Sequence, residues 1–195
     1  MRLGWTAYTF IPFAIILIAL NIALVRKNRV LLGAQRSCEA TLHLNTGDSL
    51  PPIRGTDASG RTIFLAYGGV QPATLLLIFL QECPDCEMNL PKWQSLVRAL
   101  RGKRIRFVFV SLDGVIGAGE LNKIGLGDVG TVVRPDFATL LAYRIQYTPQ
   151  TVLISAGGRV QGVWSGVLAK RDELNIEGMA AASLHSSGRP PSPGK

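Results

Sequence analysis

From Leu3 to Val25 the sequence carries no charged residue, and all 195 residues contain only three cysteines and two histidines. The missing charge defines the first element. A helix of that length spans about 34 Å, against about 30 Å of hydrocarbon in a bilayer. Apolar side chains fill every face instead of one stripe, which argues against an amphipathic core helix. Trp5 and Tyr8 stand near one end, and Arg26, Lys27 and Arg29 close the other. Ile22-Ala23-Leu24-Val25 runs straight into Arg26 without a small-residue cleavage site, so we expect an anchor that stays rather than a signal peptide. Residues 1–27 are thus expected to cross the membrane, with Pro12 tolerated as a kink. This anchor accounts for a composition that is 47% hydrophobic and only 17% charged.

The scarcity of cysteine and histidine restricts the metal chemistry. A zinc site built on Cys83 and Cys86 would need Cys38 and His43, and the gap of about forty residues between the pairs is far longer than in a structural finger. A copper carrier would want an extra residue between its cysteines and a downstream histidine close by, and neither is present. We expect no metal and no cofactor. The formal net charge is +8, and Arg98, Arg101, Lys103, Arg104 and Arg106 cluster locally, but no aromatic residues interleave as stacking platforms for nucleic acid. The cluster falls where a helix ends, where basic side chains meet the macrodipole favourably. With a bilayer nearby, a solvated face or one drawn to anionic headgroups is the better reading. No internal repeat is visible.

After the anchor, residues 28–47 read as a linker containing Cys38. Residues 48–184 read as one domain, and 185–195, rich in proline and serine, as a disordered tail. Ile53 to Thr56 and Thr62 to Leu65, joined by Asp57-Ala58-Ser59-Gly60, form a hairpin pattern. Thr74 to Leu80 is an unbroken apolar run suited to a strand buried on both faces. A helix is expected from Pro84 to Gly102, with Pro91 inside it, followed by a strand from Ile105 to Leu112. The glycine-rich stretch Gly117 to Gly130 supports at most a short helix. Beyond Thr131-Val132-Val133 we expect a helical piece from Phe137 to Tyr143, a hairpin of Thr151 to Ser155 with Arg159 to Trp164, and a helix from Lys170 to Ala182. This order describes an α/β fold, a mixed central sheet with helices on both faces.

Cys83-Pro84-Asp85-Cys86 places two cysteines three positions apart in the first turn of a helix, close enough for a disulfide. Cys83 would stand where backbone N–H groups point outward and stabilise a thiolate, and Cys86 would be shielded one turn inside. Pro84 removes a donor that would have been orphaned in any case. A bridge closing so short a loop adds little stability, which favours exchange over a permanent structural link.

From about Gly47 to Met179 the chain resembles the membrane-anchored thioredoxin-like proteins of the TlpA and ResA type. These serve cytochrome c maturation and related periplasmic thiol reduction. The likeness lies in Leu50-Pro51-Pro52, the Asp57 to Gly60 turn, the apolar strand into Cys83-Pro84-Asp85-Cys86, Val110-Ser111-Leu112-Asp113, and Thr148-Pro149. The anchor end Leu24-Val25-Arg26-Lys27 and the run Ser111-Leu112-Asp113-Gly114 are also similar to the accessory protein of methylamine dehydrogenase maturation. The resemblance implies a thioredoxin fold and a redox disulfide, with Cys83 as nucleophile and Cys86 as resolving thiol. It further implies a cis Pro149 beside the pair, with the Thr148 backbone binding a substrate strand. The partners it implies are protein disulfides and a membrane or periplasmic thiol donor. Two departures stand out: Glu82 occupies a position where many relatives carry tryptophan, and Leu77 the position of the buried acid of soluble thioredoxins. Glu82 is then the nearest candidate for handling protons.

A peroxiredoxin needs a proline and a threonine or serine in a short motif with its cysteine, and Ile78 to Glu82 contains none of them. A tethered assembly factor using the same fold without turnover stays open. Orientation is contested: Arg26, Lys27, Arg29 and Arg36 outnumber Arg2 with the amino terminus, which favours a cytoplasmic domain. The resemblance favours an extracytoplasmic, periplasmic one, and we adopt the latter as the expectation.

Asp85 and Glu82 flank Cys83, and negative charge there disfavours a thiolate, against the pull of the helix terminus. A less stable thiolate means a more stable disulfide. We expect the Cys83–Cys86 couple to equilibrate with a glutathione or dithiothreitol buffer at roughly −220 mV or lower, and a measured value near about −120 mV would reverse the assignment as a reductant.

Overall fold

A computed structural model describes residues 16–28, 43–68, 73–113, 121, 126–127 and 129–186. The chain forms two compact units, Met1–Leu42 and His43–Lys195. In the first, residues 16–28 are helical and exposed. Among the described residues no helix is long and apolar enough to cross a membrane. Residues 1–15 of the expected span, most of the linker with Cys38, most of the stretch 117–130, and residues 187–195 of the tail lie outside the described residues.

In the second unit the strands are β1 (Ile53–Thr56), β2 (Thr62–Leu65), β3 (Ala73–Phe79), β4 (Ile105–Ser111), β5 (Gly130–Pro135), β6 (Gln150–Ile154) and β7 (Val160–Ser165). Its helices are α1 (Pro84–Leu100), α2 (Phe137–Ala142) and α3 (Lys170–Ser186). One seven-stranded sheet runs in the order β2-β1-β5-β4-β3-β6-β7. β3, β4 and β5 are parallel neighbours, while β1, β2, β6 and β7 pair antiparallel. This is a mixed α/β fold of the thioredoxin type.

β3 is buried at all seven positions because successive side chains enter two different cores. Leu75, Leu77 and Phe79 join Trp93, Leu96 and Leu100 of α1 and Ile176 and Ala180 of α3. Leu76 and Ile78 join Ile53, Val108, Val133, Tyr143 and Val152 on the other face. Each such leucine or isoleucine contributes about 1.5–3 kcal/mol of transfer free energy, which accounts for the unbroken apolar run from Leu75 to Phe79.

Three sequence expectations need correction. β5 has no counterpart among the expected strands. Bounded by Gly130 and Pro135, with only Val133 and Pro135 buried, it lacks a readable strand pattern. Gly130 makes the strand possible, since a Cβ there would lie 2.7 Å from the Phe107 carbonyl oxygen of β4. The expected linker also ends too late. The compact unit begins at His43, Leu44 is buried, Gly47 N–H donates to Val160 O at 2.8 Å, and the Arg144 guanidinium donates to His43 O at 3.1 Å. At the other end α3 runs to Ser186, which puts His185 in a helix and not in the tail.

Local chemistry closes the turns. Asp57 accepts from Ser59 and Arg61 in the β1–β2 turn, and the Ser59 hydroxyl leads in holding its carboxyl well below the usual range. Asp136 caps α2 by accepting from Thr139 N–H at 2.7 Å. At the start of β3 and β4, Tyr143 donates to Pro51 O at 2.7 Å and its hydroxyl meets that of Tyr67 at 2.7 Å. Arg106 lies over the Tyr67 ring and donates to Ala66 O and Thr74 Oγ1. Arg106 is therefore half-buried and committed to this corner instead of to the basic surface cluster.

Burial pushes the Tyr67 phenol up to about 12 from 10.0, and raises Tyr143 as well. Both phenols are folded as neutral groups, so their contribution is intact below the unfolded value and is lost as pH rises through the folded one. Urea unfolding should show stability falling between about pH 10 and 12, and Tyr67→Phe should flatten that fall. An equally steep fall in the variant would place the loss elsewhere.

Candidate active site

Cys83 is the N-cap of α1, and its Sγ accepts from Cys86 N–H at 3.2 Å, the role that serine or aspartate fills at other helix starts. Its carbonyl accepts from Cys86 and Glu87 N–H. Pro84 follows at the first helical position, where no N–H is missed. The two sulfurs are joined as a disulfide, with Cα atoms 5.1 Å apart. The pair is asymmetric. Cys83 is half-buried, whereas Cys86 is 3% exposed and packs into the core with Trp93 and Phe79.

Strand register brings the second part of the site. β3 and β6 are antiparallel with Ile78 opposite Gln150, so the chain leaving β3 toward Cys83 runs beside the chain arriving at β6. The Thr148 carbonyl oxygen and Oγ1 each lie 3.9 Å from Cys83 Sγ. The Thr148–Pro149 peptide is cis. Pro149 is buried and its carbonyl accepts from Gly166 N–H at 2.8 Å. Leu112 N–H donates to Phe79 O and Asp113 accepts from Gln81 N–H at 2.8 Å, tying the turn before Cys83 to the end of β4.

Cys83, Cys86, Pro84, Thr148 and Pro149 are thus brought together. Glu82 and Asp85 lie beside the pair in sequence but are exposed. Leu77, fully buried, offers no titratable group beneath the disulfide. Around the pair are polar residues that the sequence reading passed over. Trp93 Nε1 donates to Thr151 Oγ1 at 2.9 Å, and Asn89 Oδ1 accepts from Leu168 N–H at 3.0 Å. Asn89 Nδ2 and Gln150 Oε1 are buried with no partner among the described residues. Asn89 was visible as a polar residue within the apolar stripe of Cys86, Leu90, Trp93 and Val97.

Exposed beside this centre are Met88 and Tyr147, the latter stacked on His43 at 5.7 Å between ring centroids. Among the described residues no group of three or more histidine, cysteine or acidic side chains could hold a metal ion; Cys38 is not among them. A groove of about 560 Å³ between Arg54, Phe64 and Arg134 contains none of the site residues.

No protein-family model matches the chain, and no curated protein matches its sequence. Solved structures do resemble it. A thiol:disulfide interchange protein of the thioredoxin family from Chlorobium tepidum is 20% identical with a TM-score of 0.56, the match covering 70% of this chain and 98% of that one. The thioredoxin domain of a thiol-disulfide oxidoreductase from Bacteroides vulgatus is 19% identical with a TM-score of 0.54, covering 70% and 99%. A peroxiredoxin-like protein from Aquifex aeolicus is 13% identical with a TM-score of 0.55, covering 71% and 88%. These likenesses agree on a thioredoxin-like fold. The chemistry rests on the cysteine pair.

Proposed function

We propose that this chain is a thiol:disulfide oxidoreductase that reduces protein disulfides through Cys83 and Cys86. The observation that carries the reading is the asymmetry of the pair. One sulfur caps a helix at the surface within 3.9 Å of the Thr148 carbonyl, and the other is 3% exposed beneath it. Cys83 attacks a substrate disulfide, forming a mixed disulfide and expelling the substrate's other sulfur as a thiolate. Cys86 then attacks Cys83 Sγ, which forms the intramolecular disulfide and releases the substrate as a dithiol. Thr148 and Pro149 border Cys83 on the side where an extended substrate segment would lie, while Pro84, Asp85 and Glu82 tune the first sulfur.

The charge-free run from Leu3 to Val25 supports tethering of this domain to the bilayer by residues 1–27, in the manner of the TlpA and ResA type. Its partners are then extracytoplasmic protein disulfides, as in cytochrome c maturation, and a membrane or periplasmic thiol that returns electrons. An exchange disulfide needs an oxidising setting or a dedicated reductant, which supports the extracytoplasmic side.

In the full-length protein, Cys86→Ser should accumulate substrate proteins bound covalently to Cys83, resolved on non-reducing gels and released by dithiothreitol. Cys83→Ser should capture none, and Cys38→Ser should exchange almost as the wild type does. Capture by Cys83→Ser alone would reverse the roles. If neither variant captures and the wild type reduces no disulfide, the protein is a tethered assembly factor, and peroxide consumption by the wild type would point to a peroxidase.

Membrane side is tested separately. A reporter fused after Lys195 should be active outside the cytoplasm; activity confined to the cytoplasm would overturn the orientation.

A further inference from the structure

Asn89 is fully buried one helical turn after Cys86, and only half of its amide is used. Its Oδ1 accepts from Leu168 N–H at 3.0 Å. That bond fixes the orientation of the amide, because a flipped side chain would set N–H₂ against a backbone donor. Nδ2 is thereby a donor, and it has no partner among the described residues. A buried donor without an acceptor weakens a fold, and native structures carry few of them.

Residues three apart on a helix present side chains on one face, with Cβ atoms about 5–6 Å apart. Asn89 and Cys86 are such a pair, and both are buried. In the disulfide the Cys86 sulfur carries no charge. When the bridge opens, the same sulfur receives an electron pair in a site where Leu77 is apolar and fully buried and Glu82 is exposed. We infer that Asn89 is the hydrogen-bond donor to the Cys86 thiolate, held in place in the oxidised protein for a charge that exists only in the reduced one. The inference rests on the oxidoreductase reading.

The step that benefits is reduction by an external dithiol. A donor thiolate attacks Cys83 Sγ, a new S–S bond forms, the Cys83–Cys86 bond breaks, and the bonding pair leaves on Cys86 Sγ. The donor's second thiolate then attacks the donor sulfur of the mixed disulfide, which releases Cys83 as a thiolate and the donor as a disulfide. The pair gains two electrons, and any protons it takes up come from the donor thiols or water. Stabilising Cys86 as the leaving sulfur favours the first of these displacements.

The charged side chains around this face are Glu82, Asp85 and Glu87 near Cys83, Asp113 after β4, and Lys170, Asp172 and Glu173 at the start of α3. All are common to the wild type and the variants below, so their effects cancel in the comparison, and the carboxylate that Asn89→Asp adds is controlled for by Asn89→Leu, which adds no charge.

The test is the equilibrium of the full-length protein with dithiothreitol, followed by thiol labelling from about pH 6 to about pH 10, across the thiol range. Asn89→Asp keeps the acceptor for Leu168 N–H and removes the amide donor, whereas Asn89→Leu removes both. At the low end, where both sulfurs are thiols, variants and wild type should agree. At the high end both variants should hold the dithiol form about tenfold less favourably, a shift of about 30 mV toward more negative potential. The Cys86 titration, read by thiolate absorbance, should move upward in both. A shift of equal size at every pH, or no shift in either variant, overturns the inference while leaving the oxidoreductase reading intact. A wild-type pair that never equilibrates with dithiothreitol overturns both.

Discussion

The antiparallel pairing of β3 with β6 is the constraint on which the site depends. Ile78 faces Gln150, and continuing that register carries the chain after β3 past the chain before β6, so that Cys83 meets Thr148. Register is enforced by burial. A one-residue slip would exchange the two side-chain sets of β6, sending Val152 and Ile154 to the face that receives Leu153 and the reverse. Because both faces of β3 are packed, such a slip also misplaces every layer built on them. The site needs no loop of its own to bring its parts together; it is where the ends of two central strands and the first turn of a helix meet.

At that meeting point two physical effects oppose each other. The start of α1 offers backbone N–H to the Cys83 sulfur, and an uncompensated helix terminus favours negative charge there. Asp85 and Glu82 add negative charge of their own, but both are exposed and screened by water. Burial acts mainly on the other sulfur. Cys86 sits among Trp93, Phe79 and Leu77, where a thiolate is disfavoured unless a donor meets it. The division of labour between a half-buried attacking sulfur and a buried resolving one thus follows from where one helix begins.

The distribution of polar groups along the sheet supports the same division. At the starting ends of β3 and β4, Tyr67, Tyr143, Arg106 and Thr74 form a corner whose members bond to one another and to backbone carbonyls. Satisfied networks of this kind make a core rigid and specific. At the finishing end of β3 the pattern differs, since Asn89 and Gln150 keep polar atoms unpaired among the described residues. Polar atoms left unpaired in a well-packed interior call for a chemical explanation, and here they lie on α1 and on β6 next to Pro149, the two elements that frame the disulfide.

The sequence by itself determined the cysteine pair, the helix that begins at Pro84, the doubly buried strand before it and both hairpins, because these follow from local periodicity and from the backbone chemistry of proline and glycine. It also marked the charge-free run from Leu3 to Val25, as an expectation about a membrane. Thr148 and Pro149 became site residues only through resemblance, since nothing in residues 147–150 indicates proximity to Cys83. β5 was invisible because it is bounded by glycine and proline and is held by its neighbours instead of by its own pattern. The inclusion of His43 to Gly47 in the domain, the bonding of Arg106 to Thr74 and Ala66 and the unpaired amide of Asn89 were decided by tertiary structure alone. Each depends on contacts between residues far apart in the chain, and single-sequence periodicity reports only which face a residue occupies, never what waits on the other side.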